Sequence, residues 1–104
     1  MRNIIEKDGL SEVDREKINT VMRQHNEIQQ VILYGSRAKG NFLKGSDIDI
    51  TILGELTWND LNQIETELDD LLLPYQIDLS LFKNIDNEAL IEHIERIGKV
   101  IYQK

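Results

Sequence analysis

From Asp47 to Ile52 the chain alternates strictly, Ile48, Ile50 and Ile52 being interleaved with Asp47, Asp49 and Thr51. Alternate side chains of a strand share a face, so this stretch demands a sheet that is apolar and covered on one side and acidic on the other. The short run Val31-Ile32-Leu33 upstream reads as a buried strand over Gln29 to Tyr34, stopped by Gly35. A third strand is expected from Gln76 to Phe82. There Ile77, Leu79 and Leu81 line one face, and Asp78, Ser80 and Phe82 the other.

Helical spacing fills the intervals. Val13, Ile18, Val21 and Met22 mark the inner side of a first helix between Leu10 and Asn26, with Ser11 placed to cap it. A short helix is expected in Gly35 to Gly40, followed by a loop over Asn41 to Gly45. Thr57 can cap a second long helix whose inner side carries Leu61, Ile64, Leu68, Leu71 and Leu72, with Pro74 closing it. Asp86 or Asn87 can cap the last helix, Ile85 stapling onto Leu90 in the first case; Leu90, Ile94 and Ile97 face inward and Gly98 stops it. Val100-Ile101-Tyr102 reads as a short extended tail. The expected fold class is therefore α/β: one small domain spanning residues 1–104, with a mixed sheet, helices packed on one face and the acidic site on the other. Strand order does not follow from the sequence.

Composition narrows the function classes. At 104 residues the chain has room for one core but not for a catalytic domain plus a separate substrate domain. Its formal net charge of -7 opposes broad binding of nucleic acid. The absence of cysteine removes thiol nucleophiles, thiolate metal sites and disulfides. The N-terminus turns to charge too early for a signal peptide, and no segment approaches the ~20 apolar residues of a spanning helix, so a cytoplasmic protein with no membrane partner is expected. His25 and His93 read as solvent-facing residues with no assigned role.

The chemistry lies in two short stretches. Asp47 and Asp49 project to one strand face from origins ~7 Å apart, and a hard divalent cation such as magnesium relieves the repulsion between converging carboxylates. If the third strand lies beside the second, Asp78 joins them and a second ion becomes possible. Taken alone, an Asp-Ile-Asp strand in a chain with 19 acidic residues reads first as a half-exposed strand showing solvated acids. The upstream Gly35-Ser36 turn alters that balance: Gly35 allows close approach of a phosphate, and Ser36 and the following amides supply donors. Arg37 and Lys39 are candidate phosphate contacts or plain surface. Neither the Walker loop nor the three-glycine dinucleotide fingerprint is present.

Gly35-Ser36, the ten residues Arg37 to Ser46, and Asp47-Ile48-Asp49 follow one another without a gap. This arrangement resembles the motif of the polymerase-beta-like nucleotidyltransferase superfamily, and Arg37-Ala38-Lys39-Gly40 together with Ser46 resembles its minimal nucleotidyltransferase (MNT) branch. The resemblance implies magnesium, two ions, on Asp47, Asp49 and Asp78 as catalytic and metal-binding residues, with ATP as nucleotide donor held by Gly35, Ser36 and Arg37. It further implies an MntA-type antitoxin that transfers AMP to a tyrosine of a helical HEPN-type toxin, which supplies the acceptor-binding half. Two alternatives stand beside it: an antitoxin acting by binding alone, and a transferase for a small-molecule acceptor working with a separate helical subunit.

Overall fold

The structure, a computed structural model, describes residues 8–104. Residues 1–7, on which the signal-peptide reading rests, lie outside the described part. Helix α1 (Glu12–Arg23) begins at Ser11, whose side chain accepts a hydrogen bond from the Asp14 N–H. Strand β1 (Ile28–Tyr34) runs directly into the five-residue helix α2 (Gly35–Lys39), which ends at Gly40 in the left-handed conformation. Strand β2 (Ile48–Gly54) precedes α3 (Trp58–Asp69), where Thr57 and Asp60 form a reciprocal capping box. Strand β3 (Ile77–Leu81) passes through a single 3-10 turn (Phe82–Asn84) to α4 (Glu88–Ile97), and β4 (Lys99–Gln103) follows.

The sheet order is β3-β2-β1-β4. Strand β1 pairs antiparallel with both β2 and β4, while β2 and β3 are parallel. Parallel neighbours need a crossover connection, and α3 supplies it. The core lies between one sheet face and helices α1 and α3, where Leu33, Ile48, Ile50 and Ile52 meet Ile18, Met22, Ile64 and Leu68. The three isoleucines of the alternating stretch are thus wholly interior, at 1 % exposure or less.

Several expectations are corrected by the packing. Helix α3 ends at Asp69, ahead of Pro74: Leu72 takes a left-handed backbone (φ 55°) and is 87 % exposed, whereas Leu71 packs on the core. Val13 is 47 % exposed rather than inward. Asn87, not Asp86, caps α4, so the condition for an Ile85 staple is not met. The extended tail is a true fourth strand, because Val100 and Tyr102 pair with Ile32 and Val31. Helices are also not confined to one face. Gly98 at the end of α4 lies against Ile32, and His93 of α4 against Tyr34, so α4 covers the β1 side of the acid-bearing face and leaves the β2–β3 side open. Finally, His25 is no solvated residue; its Nε2 lies 2.7 Å from Glu67 Oε1 and ties the end of α1 to α3.

Candidate active site

Three strands each place one residue in a single row. Tyr34 at the end of β1 pairs with Asp49 of β2, which pairs with Asp78 of β3. One step along the strands, Thr51 pairs with Ser80, and the Ser80 hydroxyl donates to Thr51 Oγ1 at 3.0 Å. The apolar residues between these positions are committed to the core, so the strand period forces the polar ones onto the open half of the opposite face.

Burial pushes the Asp49 carboxyl up to about 6, assisted by its hydrogen bond with Asp78, by the charge of Asp78 and, less strongly, by that of Asp47. Burial likewise raises Tyr34; a hydrogen bond with Ser80 opposes this, and the charges of Asp49 and Asp78 add to it. Burial and the two carboxylates thus favour the neutral phenol of Tyr34. Asp47 is exposed and precedes the first residue of β2. Asp49 thus lies beside Asp78, with which it hydrogen-bonds, and also feels the charge of Asp47.

Among the described residues no three histidine, cysteine or carboxylate groups converge as a metal-holding cluster. The donor set nevertheless fits a magnesium ion. Asp49 and Asp78 offer adjoining hard oxygen donors, and an ion that keeps several water or phosphate ligands needs only one or two carboxylates from the protein.

Gly35 closes the other side of the site. Its φ is +77°, and a Cβ built there would collide with Asp49 Oδ2, so the glycine both turns the chain and leaves the carboxylate room. Its N–H donates to His93 Nε2 at 3.1 Å. Ser36 is half-buried in the first turn of α2, and its carbonyl accepts from the N–H groups of Gly40 and Asn41 at 2.9 and 3.2 Å.

Arg37 is not brought to this site. Only 2 % exposed, its guanidinium donates through Nε and NH2 to the Ser46 carbonyl at 3.0 and 2.9 Å and through NH1 to the Asp8 carbonyl at 2.9 Å. It is also sandwiched between the rings of Phe42 and Tyr75, at 4.8 and 4.7 Å. A charge so enclosed and satisfied has no face left for phosphate. It clamps the loop leading to Asp47 onto the segment before α1. Lys39 is exposed at the end of α2.

A family model for polymerase beta nucleotidyltransferases matches residues 16–104, which is most of the chain. The chain belongs to this family. It is also similar to a Methanocaldococcus jannaschii protein named as a candidate protein adenylyltransferase, with 28 % identity over 96 residues covering 85 % of this chain and 93 % of that protein. Among solved structures, a toxin-antitoxin complex with AMP-PNP superposes with a TM-score of 0.70 at 24 % identity, over 86 % of this chain and 73 % of the other. A Shewanella oneidensis complex of a tri-AMPylated HEPN toxin with its MNT antitoxin superposes with a TM-score of 0.66 at 21 % identity, over 88 % and 71 %.

Tyr34, Ser80 and His93 received no role from the sequence. The first two become visible only with the strand register. His93, distant in sequence and flanked by Glu92 and Glu95, carries no local signal at all.

Proposed function

We propose that this chain transfers AMP from ATP, with magnesium, to a tyrosine hydroxyl of a helical HEPN-type partner and acts as that partner's antitoxin. The observation that carries this reading is the pairing of Asp49 with Asp78 across β2 and β3, directly against the Gly35 turn. The M. jannaschii relative named for protein adenylylation and the fold shared with an MNT antitoxin in complex with an AMPylated toxin support the choice of acceptor.

In this mechanism Gly35 and Ser36 receive the triphosphate, Asp49 and Asp78 would hold magnesium, and exposed Asp47 just before β2 would add its charge to theirs. Magnesium, when bound, offsets the charge that builds on the attacking and leaving oxygens. Asp49 and Asp78 face the open half of the sheet, where acceptor and donor can meet. The acceptor oxygen forms a bond to the α-phosphorus, and its proton passes to Asp78. The bond from the α-phosphorus to the bridging oxygen breaks, and pyrophosphate leaves with that electron pair. Most of the rate then comes from positioning and from electrostatics. Tyr34, hydrogen-bonded with Ser80 and raised by burial and further by the charges of Asp49 and Asp78, is not a nucleophile. Arg37 takes no part except through the fold.

Incubation of the protein with magnesium, each nucleoside triphosphate in turn and a native lysate, followed by mass spectrometry, tests this reading. The expected outcome is one dominant protein acceptor carrying AMP on tyrosine, formed from ATP and lost on chelation of the metal. Partner binding and inhibition with no nucleotide added to either protein would favour the binding-only antitoxin, and a modified small molecule would favour a different acceptor class.

A further inference from the structure

We infer that His93 is a positioning residue for nucleotide binding, holding the Gly35 peptide in the orientation the site needs; this rests on the function proposed above. Glycine populates positive and negative φ about equally, so a turn built on it does not fix its own geometry. At Gly35 that freedom would be costly. The backbone has φ +77° and sits so close to Asp49 Oδ2 that no side chain fits between them, so a swing of this peptide would change the distance between the turn and the carboxylate pair.

Two contacts hold the turn. On its C-terminal side, Ser36 O is fixed by the Gly40 and Asn41 N–H groups. On its N-terminal side the hold comes from another element, the Gly35 N–H donating to His93 Nε2 at 3.1 Å. The imidazole is itself supported. Its ring meets Tyr34 edge to face with centroids 6.2 Å apart, and the next residue, Ile94, anchors α4 at 2 % exposure. Asn87 caps the start of α4, and the Gly98 N–H bonds to the Ile94 carbonyl at its end. A side chain on a capped and anchored helix is a rigid post, and locking a binding loop in its bound geometry raises affinity by removing the cost of ordering it.

The bond also specifies a chemical state. To accept from a backbone N–H, Nε2 must carry a lone pair, so the ring proton resides on Nδ1. His93→Gln keeps an acceptor near the Nε2 position, whereas His93→Ala removes it.

The test measures AMP-PNP affinity by calorimetry in the presence of magnesium, together with exchange protection of the Gly35 amide by NMR, for the wild type, His93→Ala and His93→Gln. Loss of one neutral hydrogen bond and of the ordering it provides is expected to weaken binding by about fivefold to tenfold in His93→Ala. Gly35 protection should fall with it, and His93→Gln should restore most of both. In transfer assays the loss should fall on KM more than on kcat, and the nitrogen spectrum of wild-type His93 should show the Nδ1–H tautomer. Equal affinity in wild type and His93→Ala, or tighter binding in His93→Ala, would overturn the inference while leaving the proposed function standing. So would equal impairment of the Ala and Gln variants at unchanged Gly35 protection. A wild-type protein that binds no nucleotide would overturn both.

Discussion

Asp49→Asn is expected to reduce nucleotidyl transfer by about a thousandfold while making the protein more stable at alkaline pH. The loss of activity follows from removing one of the two adjoining carboxylates of the site. The gain in stability follows from the environment that carboxylate occupies. Burial and Asp78 raise its pKa from 3.8 to about 6 in the folded chain. A carboxyl raised in this way contributes stability that is fully present below about 3.8, where it is protonated folded and unfolded alike, and is lost as the pH climbs through about 6. At pH 8 the wild type therefore carries a repulsion that asparagine lacks. Because the site is half open to water, the difference is discounted to about 1 kcal/mol, or roughly 4–8 °C in Tm for a domain of this size. Thermal melts at about pH 3.5 and pH 8 check the sign, with near-coincident transitions at the lower pH, where the carboxyl is largely protonated folded and unfolded alike, and a higher Tm for the variant at pH 8. Magnesium should narrow the gap at pH 8 by stabilising the wild type alone. A variant less stable than wild type at pH 8 would mean that the carboxylate is not under strain.

Arg37→Ala carries the second large effect, and on stability. It leaves the carbonyls of Asp8 and Ser46 without their guanidinium donors and opens a void between Phe42 and Tyr75. Removing a fully buried, fully engaged charged side chain costs about 3–5 kcal/mol, a large part of the 5–15 kcal/mol typical of a whole domain. Lysine is expected to recover little, since it has neither the planar fork nor the stacking surface of arginine. Chemical denaturation should show the midpoint falling with an unchanged slope. At temperatures where the variant is folded, its KM for ATP should stay near the wild-type value, which separates a clamp from a phosphate ligand. A loss below 1 kcal/mol together with a raised KM would restore Arg37 to the site.

Legibility in the sequence divides along physical lines. Periodicities and caps are local, so Ser11, Thr57 and the alternation of Ile48, Ile50 and Ile52 identified α1, α3 and β2, and the Gly35-Ser36 spacing to Asp47 and Asp49 pointed to the family. Register is not local. That Asp49 pairs with Asp78 on one side and Tyr34 on the other depends on β3 lying parallel to β2 and β1 antiparallel to it, which no stretch of sequence encodes by itself. The Val100–Tyr102 segment was too short to distinguish from a tail until it was paired with β1. Arg37 misled for a specific reason: a basic residue after a Gly-Ser turn looks like a phosphate ligand, and only the three-dimensional path of the loops shows two carbonyls and two rings already enclosing it. Leu72 misled in the opposite way, an apolar residue at helical spacing that lies just past the last turn.

The most direct measurement of the central claim follows the phosphorus atom that is transferred. ATP labelled at the α-phosphate or at the γ-phosphate is supplied with magnesium and the acceptor protein, using the wild type, Asp49→Asn and Asp78→Asn. The account predicts α-label on the acceptor, γ-label only in released pyrophosphate, and neither reaction in the two variants. Transfer of the γ-label to the acceptor, or α-labelling by the variants at the wild-type rate, would contradict it.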